Sequence, residues 1–140
     1  MRDRLFTTAQ KVLFQHCDPA GIVFYPRYFE MMNAVIEEWF ERDVGLSFAE
    51  MHGERNIAIP LVNTNATFHA PSRLGEVLSI DLAVIQLGDS GMTLQLTASC
   101  AGEARFTATL VIVHIGKRAM RPAPWPDDIR STITKQMETL

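Results

Sequence analysis

Cysteine is scarce in this chain: Cys17 and Cys100 are the only two in 140 residues, and no Cys-x-x-Cys or metal-ligand spacing joins them. One possible bridge is a poor framework for a secreted domain, so a reducing compartment, the cytoplasm, is expected. Long hydrophobic runs are also missing; stretches such as Leu110–Val113 are far too short to span a bilayer. The opening residues, Met1 to Thr8, carry an acidic residue and no uninterrupted apolar core, so they do not read as an export signal. Positive charge is not in excess. Lys and Arg number 13 against 16 Asp and Glu, a formal net charge of -3, and nothing supplies the basic stripe that a phosphate backbone demands. The pair Lys117-Arg118, near Arg121, reads first as a solvated turn. His16, His52, His69 and His114 have no HxxxH spacing, so no metal site is expected. No repeat, low-complexity tract or linker divides the chain. A single domain over residues 1–140 is expected, with a Pro-rich C-terminal tail from about residue 118.

What is present is one strong helix signal followed by strand signals. Thr7 to Phe14 reads as a strand, and Gln15 to Gly21 as an irregular stretch punctuated by Pro19 and Gly21. From Pro26 to Arg42 the period is helical. Tyr28, Met32, Val35, Ile36, Trp39 and Phe40 share one broad apolar face, Arg27, Glu30, Glu37, Glu38 and Glu41 take the other, and Gly45 supplies a stop. A short helix is expected over Ser47–Arg55, with Ser47 as cap and Glu50 three residues on. Ile57–Ala70 reads as a strand broken or edged by Pro60. Val77–Leu87, Met92–Cys100 and Arg105–Ile115 read as further strands, joined by turns at Gly88–Gly91 and Ala101–Glu103. The tail from Arg121 reads as extended before a weak helix near Asp127–Met137. A long helix followed by an antiparallel meander is an α+β pattern, and a twisted sheet wrapped around the Pro26–Arg42 helix would bury both.

The stretch from Phe14 to Tyr28 carries the candidate chemistry. Asp18 sits between residues that restrict the backbone, four apolar residues (Ile22 to Tyr25) follow it, and the loop runs straight into a helix N-terminus. Free N–H groups at a helix start favour negative charge. A carboxylate, an apolar lining and an anion-stabilising helix end are the parts needed to attack an acyl carbonyl. By pattern alone the same residues also suit an Asx turn and a core plug, so spacing leaves function open.

The segment Asp18-Pro-Ala-Gly-Ile-Val-Phe-Tyr-Pro-Arg-Tyr28 resembles the signature of the 4-hydroxybenzoyl-CoA thioesterase family of hotdog-fold proteins. Asn65-Ala-Thr-Phe68 and Glu76-Val-Leu-Ser-Ile80 are similar to the family as well, and the likeness extends from about Val12 to Ile115. The resemblance implies a hotdog fold, with a twisted antiparallel sheet of about five strands around a long central helix. It implies an acyl-CoA thioesterase whose substrate is an aromatic (benzoyl- or hydroxybenzoyl-type) or short acyl-CoA. Asp18 matches the family's catalytic Asp, as nucleophile or general base, and the backbone N–H of Tyr25 matches its oxyanion donor. Gly21, Phe24, Tyr28 and Asn33 are the implied substrate-binding residues. Arg73, Lys117 and Arg118 are candidates for the CoA phosphates, because the Leu87–Gly91 turn lacks the basic cluster used by some members. No cofactor is implied, coenzyme A being part of the substrate. The resemblance also implies a homo-oligomer, at minimum a dimer pairing its sheets edge to edge with sites at the interface, and a tetramer in many lookalikes; neither nucleic acid nor membrane is an expected partner.

Asn33 departs from members that carry an acid on the helix, which separates this chain from a strictly 4-hydroxybenzoyl substrate. Other readings are a non-catalytic acyl-CoA binder and an acyl-thioester dehydratase; the latter generally uses a His in the loop where Asp18 stands here. Gly88-Asp-Ser-Gly91 looks like a serine-protease nucleophile segment, but its place between alternating strands makes it a hairpin. Cys17 adjoins the loop without a recognisable base.

Overall fold

Alternation along the second half of the chain presents every other side chain to one face, and these faces converge on a single helix. The computed structural model describes residues 5–138. Met1 to Arg4, half of the stretch read against an export signal, lie outside the described residues. In chain order the elements are β1 (Phe6–Lys11), helix α1 (Tyr25–Trp39), short helix α2 (Phe48–His52), β2 (Ile57–Ala58), β3 (Leu61–Phe68), β4 (Val77–Leu87), β5 (Gly91–Cys100), β6 (Glu103–Val113), β7 (Ile115–Gly116), β8 (Arg121–Pro122) and α3 (Asp127–Glu138). The five long strands form one antiparallel sheet in the order β1-β4-β5-β6-β3, and β2-β7-β8 form a small second sheet. This is the hotdog arrangement expected above.

The inward side chains are those that the alternation selects. Leu78, Ile80 and Leu82 of β4, Met92, Leu94, Leu96 and Ala98 of β5, and Phe106, Ala108, Leu110 and Ile112 of β6 are buried. From α1, Tyr28, Met31, Met32, Val35, Ile36 and Trp39 pack against them. Each large aliphatic side chain removed from water in this way stabilises the fold by about 1.5–3 kcal/mol before entropy is counted. After α1 the chain makes a wide helical turn over Phe40–Val44 and stops at Gly45, whose φ of 87° lies in the left-handed region and whose N–H reaches the Phe40 carbonyl at 2.7 Å. Ser47 caps α2, its Oγ accepting the Glu50 N–H at 3.2 Å.

Several boundaries differ from the sequence reading: α1 ends at Trp39 and not Arg42, α2 covers Phe48–His52 and not Ser47–Arg55, and β6 covers Glu103–Val113 and not Arg105–Ile115. The first strand ends at Lys11; Val12 still bonds to Glu76 and Gly75, and Phe14–His16 then forms a single tight helical turn. The long Ile57–Ala70 strand is two: Pro60 interrupts it, β2 pairs with β7, and β3 pairs with β6. The Pro-rich tail is anchored: Trp125, Ile129 and Ile133 are buried, and the Trp125 indole N–H donates to the Gly91 carbonyl at 3.0 Å. Gly88–Gly91 is the β4–β5 hairpin, closed by the Gly88 N–H on the Gly91 carbonyl at 2.9 Å.

Candidate active site

Asp18 stands on a loop whose shape is set almost entirely by main-chain hydrogen bonds. The tight turn at Phe14–His16 is closed by the His16 N–H on the Leu13 carbonyl (2.9 Å), and the Leu13 N–H returns to Nδ1 of His16 at 2.9 Å. His16 is buried, and its carbonyl accepts the Phe24 N–H at 2.9 Å, tying the loop's start to its end. Between them the Asp18 N–H donates to the Ile22 carbonyl (3.0 Å), and the Gly21 N–H donates to the Asp18 carbonyl (2.9 Å). Gly21 has φ +80°, a conformation that side chains with a Cβ rarely adopt.

The Asp18 side chain forms the Asx turn expected from pattern, Oδ1 accepting the Ala20 N–H at 2.9 Å. Its other oxygen, Oδ2, has no hydrogen-bond partner among the described residues. One oxygen therefore fixes the carboxylate's direction and the other is left for chemistry. The loop enters α1 at Phe24, an extended N-cap residue with no side-chain cap, and Pro26 occupies the first turn. Because Pro26 lacks an N–H and the Arg27 N–H folds back to the Phe24 carbonyl at 2.8 Å, the Tyr25 N–H is the open donor of this turn. A carboxylate oxygen and an open helix-start amide thus flank one stretch of chain.

The remaining sequence-predicted residues separate into groups. Phe24 and Tyr25 are exposed, with their rings edge to face at 5.5 Å. Tyr28 lies in the core: its Oη donates to Ser72 Oγ at 3.0 Å, and its ring stacks on Phe68 at 5.1 Å. Its contacts support the loop from beneath. Asn33, one turn and more further along α1, opens into a cavity of about 810 Å³. That cavity is lined by Glu30, Ala34 and Glu37 of α1, Phe48 and His52 of α2, Ile59 to Leu61, Ile112, Ile115 and Met120. Arg73 lies on the loop that backs the Asp18 loop, pairing with Ile22 across an isolated bridge. Lys117 and Arg118 lie in the turn between β7 and β8, which also carries Met120 of the cavity wall; the Lys117 ammonium donates to the His52 carbonyl at 3.2 Å.

Sequence reasoning passed over Glu37, His52 and the Pro60 segment because the cavity draws on elements from α1 to the β7–β8 turn that lie far apart in the chain. Among the described residues no cluster of three or more His, Cys, Asp or Glu is placed to hold a metal, and no helix is long and apolar enough to cross a membrane.

A twisted antiparallel sheet wrapped around one long helix, with the Asp18 loop feeding the helix N-terminus, places the chain in the hotdog-fold class. The model of the thioesterase-like superfamily matches residues 12–133, and the chain belongs to that family. Among curated relatives, 1,4-dihydroxy-2-naphthoyl-CoA hydrolase of Synechocystis is 26% identical over 126 residues, spanning 86% of this chain and 91% of that protein. The 4-hydroxybenzoyl-CoA thioesterase of a Pseudomonas species is 32% identical over 82 residues, 58% of each chain. Among solved structures, the Synechocystis 1,4-dihydroxy-2-naphthoyl-CoA thioesterase superposes with a TM-score of 0.84 at 24% identity, covering 93% of this chain and 96% of that one. An Asp-to-Asn variant of 4-hydroxybenzoyl-CoA thioesterase bound to 4-hydroxybenzoyl-CoA gives a TM-score of 0.82 at 24% identity, covering 93% and 99%. These structural likenesses carry the fold.

Proposed function

We propose that this protein hydrolyses the thioester of an aromatic or short acyl-CoA, with Asp18 as the reacting carboxylate. The observation that carries the reading is the unpartnered Asp18 oxygen on a loop that ends at the open Tyr25 N–H of α1. Membership of the thioesterase-like superfamily and the acyl-CoA hydrolases among the relatives support it. In the nucleophilic route, Asp18 bonds to the acyl carbon, the C–S bond breaks and CoA departs as a thiolate. Water then hydrolyses the mixed anhydride and restores the carboxylate. In the general-base route Asp18 takes a proton from the attacking water instead. In both, negative charge gathers on the former carbonyl oxygen, where a fixed backbone N–H stabilises the transition state by about 3 kcal/mol.

The acyl group is assigned to the cavity along α1. Its walls are apolar at Phe48, Ile59, Leu61, Ile112, Ile115 and Met120, with Asn33 and Glu37 as polar points, a composition that suits a ring with polar substituents. The site is completed by a second copy. Pairing two β3 edges about a two-fold axis sets two α1 helices antiparallel, so that the Asp18 end of one faces the middle of the other. Gly21 and Phe24 then border the thioester, and Arg73, Lys117 and Arg118 are left at the rims to meet the CoA phosphates.

The decisive measurement is thiol release from benzoyl-, hydroxybenzoyl-, phenylacetyl- and short aliphatic acyl-CoAs by wild type and Asp18→Asn. The Asn side chain keeps an oxygen for the Ala20 N–H, so the variant is expected to fold normally and lose about a thousandfold or more in kcat. Thioester binding without thiol release by wild type would replace the hydrolase with a non-catalytic acyl-CoA binder.

A further inference from the structure

An ion pair outside the reacting groups, buried at Arg105 and 30% exposed at Glu76, stands behind the Asp18 loop. Arg105 sits at the register shift near the start of β6, where Ala98 pairs with Phe106 and Ser99 with Ala104, and its side chain is only 6% exposed. Its guanidinium grips the Glu76 carboxylate with two nitrogens, Nη1 to Oε1 at 2.6 Å and Nη2 to Oε2 at 3.2 Å. Nη1 also donates to the Pro71 carbonyl at 3.2 Å, and Nε lies 2.9 Å from Glu103. Glu76 Oε1 in turn accepts the Arg73 N–H at 2.7 Å. One cation thereby fixes both ends of the segment Pro71–Glu76.

That segment is the bed of the Asp18 loop. The Val23 N–H donates to the Ser72 carbonyl (2.9 Å), the Leu74 N–H to the Gly21 carbonyl (3.1 Å), the Gly75 N–H to the Val12 carbonyl (2.9 Å) and the Val12 N–H to the Glu76 carbonyl (2.7 Å). Ser72 itself is fully buried and receives the Tyr28 hydroxyl. The contacts run from Arg105 through Glu76 and Arg73 to Gly21, Ile22 and Val23; Gly21 and Ile22 hydrogen-bond to the Asp18 backbone, and Val23 leads directly into Phe24, whose N–H is held by the His16 carbonyl. Single exposed ion pairs contribute little to a fold, whereas a bidentate Arg–carboxylate pair whose guanidinium is buried and also holds a backbone carbonyl fixes geometry.

We propose that Arg105 and Glu76 are positioning residues: they set the distance and angle between the Asp18 carboxylate and the Tyr25 N–H, acting through the Pro71–Glu76 segment without touching substrate. The proposal rests on the functional reading above for its kinetic arm. Its structural arm stands independently.

The experiment uses the full chain with Glu76→Gln and Arg105→Lys, and Ile133→Ala in distant α3 as a control of comparable destabilisation. Peptide-resolved hydrogen exchange and thioester kinetics are measured on each, with the folded fraction taken from circular dichroism. Exchange is expected to speed up over residues 12–25 and 71–76 and stay unchanged in β5. kcat per folded molecule is expected to fall about 100-fold, the cost of displacing reacting groups by roughly 1 Å, with KM changed far less. The Ile133→Ala control should lose thermal stability and keep kcat.

Wild-type kcat per folded molecule and wild-type exchange over residues 18–24 in Glu76→Gln would overturn the proposal. So would losses of kcat that merely follow melting temperature across all three variants. Should Arg105→Lys fail to fold, Glu76→Gln decides, since it retains an acceptor at Oε1. If wild type releases no thiol from any thioester, the functional reading fails, and the exchange pattern alone decides whether the pair holds the loop.

Discussion

His16 shows how much of the loop depends on the protonation of one ring. The Leu13 N–H donates to Nδ1, a bond that only a ring unprotonated at that nitrogen can accept. Burial holds the His16 pKa below its usual value, with Glu30 raising it and Arg27 lowering it in smaller measure. A group whose folded pKa is depressed contributes its stability above the unfolded pKa, and the contribution is lost as pH falls toward the folded value. His16 is therefore expected to help hold the fold at pH 7 and to weaken it below about pH 6.5. Melting temperatures at pH 7.5 and pH 5.5 should show a smaller difference in His16→Asn than in wild type; equal differences would remove His16 from the acid response. At this scale the Asx turn of Asp18 was legible, because its motif is unbroken in sequence. Arg105 was not: its meaning depends on Glu76, 29 residues away, and no local pattern links the start of one strand to the start of another.

Along α1 the apolar period and the charged face specify the same cylinder; the start was legible to one residue, while the end falls at Trp39 and not Arg42 because the chain widens its turn over Phe40–Val44. Its end is a sharper test. Gly45 takes φ +87° with nothing within 4 Å of a built Cβ, so the penalty for a side chain there is conformational alone. Gly45→Ala should cost about 1 kcal/mol through that strained φ, lowering the melting temperature by about 2–5 °C. An unchanged melting temperature would mean that the turn after α1 relaxes freely. The split of Ile57–Ala70 was less legible. Pro60 announced an interruption, but the pairing of β2 with β7 depends on a strand more than 50 residues later. The tail read as extended before a helix near Asp127–Met137, and it is so; what no local pattern showed is its anchor, Trp125 packed on His114 with rings 5.4 Å apart and its indole bonded to the hairpin backbone.

Across the whole molecule the two edges of the main sheet are treated differently. On β1 the inward Phe6 is 4% exposed, and Arg42 covers its ring from 5.1 Å. On β3 nearly every residue is exposed, including Leu61, Val62 and Phe68. Register places Thr64 opposite Leu110 and Phe68 opposite Phe106, so these β3 residues point toward the core side and are nonetheless uncovered. An eight-residue edge with a free ladder and apolar side chains invites a partner strand. A second copy fits, because it would cover the open side of the core and bring Asp18 of one chain to the cavity of the other. Val62→Asp places a charge on that edge at a residue 58% exposed in the single chain, so its own fold has little reason to suffer. Sedimentation velocity at micromolar concentration is expected to show wild type as a dimer or larger and Val62→Asp as a folded monomer. Thiol release by the monomer should be lost while circular dichroism stays native. A fully active Val62→Asp monomer would place the complete site within one chain and leave β3 without the role assigned to it.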